Sequence, residues 1–214
     1  MFFNKQIHVA VLLIGSLLMS ASVQNATAQD RMPPIPADKL TAEQKKAIAE
    51  FRAARDSNPR GPFTPLLRSP EVMNRARAMG DYLRFKSVLP PRLSEFVILI
   101  TAREWSQNYE WNAHYSLAMK GGLNPEIAKA VAEGRRPERM AEDEEIIYNF
   151  CTELQRNRSV SDVAYSRMVS KLGEQAVIDT VGLVGYYTLI AMTLNTARTP
   201  LPGGAMPALA PFPR

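Results

Sequence analysis

The stretch from residue 175 to 197 is the longest apolar segment of the chain, and it limits what the rest can fold into. Wound as a helix, it is apolar around nearly its whole circumference, so lipid or protein must cover it on most sides. Asp179 within it argues against lipid, because a carboxylate at membrane depth is costly. Gly182 and Gly185 alternate with bulky residues, and glycines three residues apart let a second helix approach closely. The segment therefore reads as a core or subunit-interface helix, and the remaining chain has to supply its partners.

Those partners are legible from their ends. Thr41 and Gln44 form a capping box that opens a helix reaching about residue 56. Residues 60–69, with Pro62 and Pro65, read as a loop. Ser69-Pro70-Glu71 is a second helix start, with a capping hydroxyl, a proline in the first turn and an acid beside the positive helix end; this helix reaches about residue 84. Pro90-Pro91 restarts the chain into residues 93–106, where Phe96, Val97, Leu99 and Ile100 fit a buried face. After a short interruption at Gln107 and Asn108, residues 109–120 form a helix that Gly121-Gly122 ends. Asn124-Pro125-Glu126 opens the next, which Gly134 stops, and residues 141–157 and 161–172 follow. No strand pattern and no internal repeat competes with this reading. The expectation is an all-α domain over residues 41–198, between an extended arm at 29–40 and a proline-rich extended tail at 199–214 that wraps a neighbouring subunit or stays mobile.

Composition agrees with one globular domain: 22% charged and 46% apolar residues exclude a disordered chain, a collagen and a polytopic membrane protein. A net charge of +5 is too small an excess to argue for nucleic acid as a partner. The single cysteine, Cys151, rules out an intramolecular disulfide, a CxxC redox centre and a cysteine-rich zinc site.

The N-terminus reads as an export signal. Lys5 lies in a short n-region, residues 9–23 are apolar apart from Gly15, Ser16, Ser20 and Ser22, and Ala26-Thr27-Ala28 offers the small side chains a signal peptidase requires. The expectation is cleavage before Gln29 and a periplasmic or secreted bacterial protein with no membrane attachment afterwards; an uncleaved anchor is the alternative. No cysteine follows the run for lipid attachment, and no twin arginine precedes it, which favours general secretion.

Once residues 1–28 are removed, His114 is the only histidine. Imidazole is the one side chain that ordinarily titrates near neutrality. Glu110 stands four residues before it on the same helical face, and Gln107, Glu110 and His114 follow the spacing that lines one groove. Glu95 sits one helix earlier among Phe96, Val97, Ile98 and Leu99, either on a narrow polar edge or held inside deliberately. Trp111 and Tyr115 flank the histidine and could wall a pocket. Against a catalytic reading stands the plain one, a surface Glu–His pair worth about 0.2–0.5 kcal/mol. Two carboxylates and one imidazole could also bind a metal.

The runs Leu93-Ser94-Glu95-Phe96-Val97-Ile98-Leu99 and Asn108-Tyr109-Glu110-Trp111-Asn112-Ala113-His114 resemble the carboxymuconolactone decarboxylase family, part of the AhpD-like all-helical superfamily. The resemblance extends from about Gly61-Pro62-Phe63 to Leu194. It implies an AhpD-like helical domain assembled as a homo-oligomer, a trimer or hexamer. In the alkylhydroperoxidase branch a glutamate precedes Cys-x-x-Cys and a histidine follows four residues later. Those positions fall on Glu95, Gln107, Glu110 and His114, so the proton-relay pair is kept and both redox sulfurs are absent. Thiol peroxidase chemistry needs a thiolate and a resolving thiol, which disfavours a hydroperoxide reductase with peroxiredoxin activity.

The resemblance to the decarboxylase branch implies a lyase or isomerase acting on a small carboxylated or lactone-like substrate without a cofactor or metal. His114 is the candidate acid/base with Glu95 and Glu110 as its catalytic partners, and Tyr109, Trp111, Tyr115 and Arg103 are the candidate substrate-binding residues. Arg92 is a further candidate clamp. An exported location departs from the cytoplasmic setting of the known lactone step. A non-catalytic periplasmic binding or assembly protein is the alternative from another class.

Overall fold

The computed structural model describes residues 29–204 and 208–209. The expected signal peptide at 1–28 lies outside the described residues, as do 205–207 and 210–214 of the expected tail. Among the described residues there are nine α-helices and no strand: α1 (Ala42–Arg55), α2 (Phe63–Leu66), α3 (Pro70–Phe85), α4 (Pro91–Glu104), α5 (Asn108–Lys120), α6 (Pro125–Ala132), α7 (Glu142–Asn157), α8 (Asp162–Leu172) and α9 (Glu174–Ala197).

The local signals that start these helices operate as read. The Thr41 hydroxyl accepts the Gln44 backbone N–H at 3.2 Å while the Gln44 side chain accepts the Thr41 N–H at 3.0 Å. Asn124 caps α6 by accepting the Glu126 N–H, and Ser161 caps α8 by accepting the Ala164 N–H. Two expectations need correction. Ser69 makes no side-chain capping bond, so α3 begins on Pro70 alone. The 60–69 segment holds the short helix α2, whose Phe63, Pro65 and Leu66 are buried, so its prolines start a helical turn and do not mark an open loop.

The most enclosed element is α4, with every residue from Leu93 to Arg103 buried. It packs against α5, α6, α7 and α9. Leu93, Phe96, Ile98 and Leu99 are wholly inaccessible. Burying each contributes about 1.5–3 kcal/mol. The 24-residue α9 is long and apolar enough to cross a membrane, but it buries Leu183, Val184, Tyr186, Tyr187, Ile190 and Leu194 inside the domain. Its opposite side leaves Ile178, Val181 and Met192 exposed, so it is covered less completely than α4.

The helix approach expected at the paired glycines is half realised. A Cβ on Gly182 would meet a Leu83 methyl of α3 at 2.9 Å, whereas nothing lies within 4 Å of one on Gly185. The tighter approach is from the other helix: a Cβ on Gly80 in α3 would sit 2.4 Å from the Tyr186 hydroxyl.

The arm and the tail both return to the domain. The arm holds a 3-10 turn at Ala37–Lys39, and its Arg31 N–H donates to the Ala197 carbonyl at the end of α9 at 2.7 Å. Arg68 donates to the carbonyls of Met32 and Pro33. In the tail, Pro202–Gly204 form a 3-10 turn, and Leu209 is buried with its N–H donated to Asn108 at 2.9 Å.

Candidate active site

The α4–α5 hairpin carries the site. The chain reverses at Ser106, which takes the left-handed conformation at φ 48°, and the Gln107 N–H closes the turn on the Ala102 carbonyl at 2.8 Å. The Gln107 side chain caps α5 by accepting the Tyr109 N–H at 2.7 Å and donates to Asn195 of α9 at 2.8 Å. Gln107 is thus a brace between α5 and α9, not a member of the groove in which the spacing placed it.

This reversal brings α5 back along α4 and sets the His114 Nδ1 2.6 Å from Glu95 Oε2. Both side chains are buried, and an imidazole and a carboxylate at that depth are kept by bonding to each other. With Glu95 ionised, Nδ1–H donates to it and Nε2 is left as an acceptor. The Tyr187 hydroxyl of α9 lies 3.2 Å from Nε2, with the two rings edge to face at 5.0 Å. On the other side, a terminal nitrogen of Arg84 in α3 stands 4.0 Å from Glu95 Oε1. The Arg84 Nε has no hydrogen-bond partner among the described residues. The α4–α5 hairpin and the distant α9 therefore build one line, Tyr187–His114–Glu95, with Arg84 of α3 beside its acidic end.

The line borders a cavity of about 970 Å³. That volume suits a small-molecule ligand. Tyr109, Glu110, His114 and Tyr187 form part of its wall. The Tyr109 hydroxyl packs over Gly61, where a Cβ would come within 2.7 Å of it and the backbone is left-handed at φ 59°. Arg55 and Arg84 are half-buried in the lining, and Arg60 and Lys86 are its exposed cations. Arg55 is held by Asp81 at 2.7 Å and lies over the Phe63 ring. Asp81 and Glu110 are the acids of the lining.

Glu110 is 2% exposed, and neither carboxyl oxygen has a hydrogen-bond partner among the described residues. Burial pushes its carboxyl well above the usual carboxylate range. Burial likewise pushes the Tyr187 phenol well up, so the hydroxyl keeps its proton.

Several expected site residues lie elsewhere. Arg103 is buried near the end of α4, two turns beyond Glu95, and does not line the cavity. Arg92 is committed to Asp143 and Glu144 of α7. Trp111 and Tyr115 pack on each other, 6.3 Å between ring centroids, and neither borders the cavity. They follow Glu110 and His114 by one residue each, and one residue turns the helix by about 100°. The residues missed were Tyr187, Arg84 and Arg55. Tyr187 had one readable signal, a phenol in an otherwise apolar helix, where a buried hydroxyl requires a partner.

No thiol reaches the site. Cys151 lies in α7, fully buried, and burial pushes its thiol up. Among the described residues, no three His, Cys, Asp or Glu side chains converge as metal ligands.

The nine helices among the described residues, with α4 buried at their centre and a Glu–His pair across the α4–α5 hairpin, have an AhpD-like helical fold. The solved structures it is similar to include the AhpD core of a peroxidase-related protein from Ralstonia eutropha JMP134, with TM-score 0.62 and 16% identity over 78% of this chain and 88% of that one. A peroxidase-related protein from Silicibacter sp. TM1040 matches with TM-score 0.63 and 14% identity over 79% and 91%. The debrominase Bmp8 matches with TM-score 0.62 and 11% identity over 82% and 94%. At such identities the likeness is one of fold. No protein-family model matches the chain, and no curated protein does.

Proposed function

We propose that this protein is an enzyme that uses the Tyr187–His114–Glu95 line for acid–base catalysis on a small carboxylated or lactone-like molecule, as a lyase or isomerase and without a cofactor. The observation that carries the reading is the line itself, a buried imidazole bonded at both nitrogens along the wall of a cavity. A carboxylate bonded to Nδ1, as Glu95 is to His114, fixes the ring's tautomer and steadies an imidazolium when a proton arrives. Arg55 and Arg84 are the half-buried cations able to hold a substrate carboxylate inside the cavity. Burial favours the protonated form of the Glu110 carboxyl, one turn before His114 in the cavity wall.

The names of the similar structures, peroxidase-related proteins and a debrominase, suggest other chemistries. A thiol-dependent hydroperoxide reductase is disfavoured by Gln107 and Glu110 at the expected sulfur positions and by the seclusion of Cys151. A non-catalytic binding protein would keep the cavity and its cations without turnover.

The test is a panel of carboxylated lactones assayed for carbon dioxide release and for ultraviolet change on double-bond migration. His114→Asn is expected to lower turnover about 10²–10⁴-fold, with a smaller loss for Glu95→Gln if the carboxylate only orients the ring. Saturable binding of panel members with no turnover would instead establish the binding protein.

A further inference from the structure

The chain leaves α9 directly into the cavity wall. Its root is fastened: Arg198 takes the left-handed conformation at φ 56°, the Thr199 N–H donates to the Leu194 carbonyl at 3.1 Å, and Arg31 of the arm holds the Ala197 carbonyl. Three residues beyond Thr199, Pro202 lines the cavity that His114 and Tyr187 also line. Pro202 is itself exposed, so it adds wall and takes no part in the core. Gly203 follows it, left-handed at φ 62° with nothing within 4 Å of the place of a Cβ, which makes it a free hinge.

The second attachment of the tail is a single side chain. Of the two described residues beyond Gly204, Ala208 is exposed, whereas Leu209 is 3% exposed and belongs to the main apolar cluster. The Leu209 N–H donates to Asn108 Oδ1 at 2.9 Å. Asn108 is the first residue of α5. It precedes Tyr109 of the cavity wall and stands six residues, about 9 Å of helix, before His114. The tail is thus fixed on the α9 side of the cavity at its root and on the α5 side at Leu209.

We propose that the C-terminal tail is a strap on the cavity. With Leu209 seated beside Asn108 the mouth is narrowed and His114 is shielded; when Leu209 leaves its seat, the tail swings about Gly203 and the cavity opens to small molecules. One leucine is a slight fastening, because its burial has to offset the ordering of the segment it holds. The five prolines of residues 199–214 lessen that ordering cost, since they stiffen the released chain as well. Entry to the cavity is then set by a local equilibrium of the tail, and the helices of the domain need not move. The inference goes beyond the acid–base reading and does not depend on it.

The experiment is carbethoxylation of His114 in the full chain by diethyl pyrocarbonate, followed at that residue by peptide mass spectrometry. The reagent is a small molecule that has only to reach a ring nitrogen. Leu209→Asp, and a chain ended at Gly204, should each raise the rate at His114 about fivefold or more, while Leu209→Met, which keeps an apolar anchor of similar volume, should stay within about twofold of the wild type. Met168→Ala is the control for general loosening, because Met168 is fully buried in α8 and does not line the cavity. An equal rise in Met168→Ala would overturn the proposal, as would rates unchanged in both Leu209→Asp and the shortened chain. A rise in the shortened chain with none in Leu209→Asp would overturn Leu209 as the fastening. If the shortened chain does not fold, Leu209→Asp decides.

Discussion

Glu110 has a cost that can be measured apart from any reaction. Its carboxyl is buried without a hydrogen-bond partner among the described residues, and burial pushes its pKa in the folded protein well above the ordinary value. The folded protein therefore holds this proton more tightly than the unfolded chain, and raising the pH penalises the folded state. The contribution is fully present below the unfolded carboxyl pKa and is lost by about 1.4 kcal/mol per pH unit as the pH climbs toward the folded one. Glu110→Gln removes that titration. In urea melts the variant should match or trail the wild type near pH 4 and gain on it steadily toward pH 7. A stability difference that stays flat across this range would mean that Glu110 is not held protonated. An acid kept at such a cost in the wall of a cavity is a candidate for work beyond folding.

At the scale of elements, the approach of α3 to α9 rests on a single missing Cβ. Gly80 faces the rigid, buried Tyr186 ring, so Gly80→Ala should destabilise by about 1–3 kcal/mol through overpacking. Gly185 lies on the exposed side of α9 with open space around it, and Gly185→Ala should stabilise by about 0.5–1 kcal/mol through helix propensity. Thermal melts of the two variants should shift in opposite directions; a loss of stability in both would mean that Gly185 is covered in solution.

The same contrast explains how much could be read in advance. Caps at Thr41, Asn124 and Ser161 act within two or three residues, so a linear sequence displays them. The Glu95–His114 pairing was also legible, because a hairpin of consecutive helices leaves few ways to meet. Which cations enter the cavity was not, since periodicity gives the face of a helix and not its neighbour. Arg103 stands eight residues after Glu95, a rotation of about 80°, enough to carry it off the site. Arg84 and Tyr187 arrive by the packing of α3 and α9 on the hairpin, and no local pattern encodes that.

For the whole molecule, one group of exposed apolar residues lies where α3 and the turn after it meet α9. Tyr82, Phe85 and Val88 are 42%, 68% and 49% exposed, and Ile178 and Val181 are 68% and 40% exposed. Asp179 ties this region together, accepting from the Val88 N–H and standing 3.4 Å from the Tyr82 hydroxyl. Apolar surface of this kind beside a binding cavity is what a subunit contact covers. We expect a homo-oligomer, with Ile178→Glu shifting it toward monomer in light scattering while the helical circular dichroism is retained. A wild-type monomer at micromolar concentration would remove the claim.

The Tyr187–His114–Glu95 line also has a place in time. Glu95 and His114 are 19 residues apart, but Tyr187 follows His114 by 73. While a ribosome is still making the second half of the chain, the α4–α5 hairpin can close and pair the first two, yet the third is not there. The cavity wall is finished only when the last helix leaves the translation machinery and docks. A chain threaded unfolded across a membrane would thus carry no completed Tyr187–His114–Glu95 line on the side where it was made, and would gain it only on arrival.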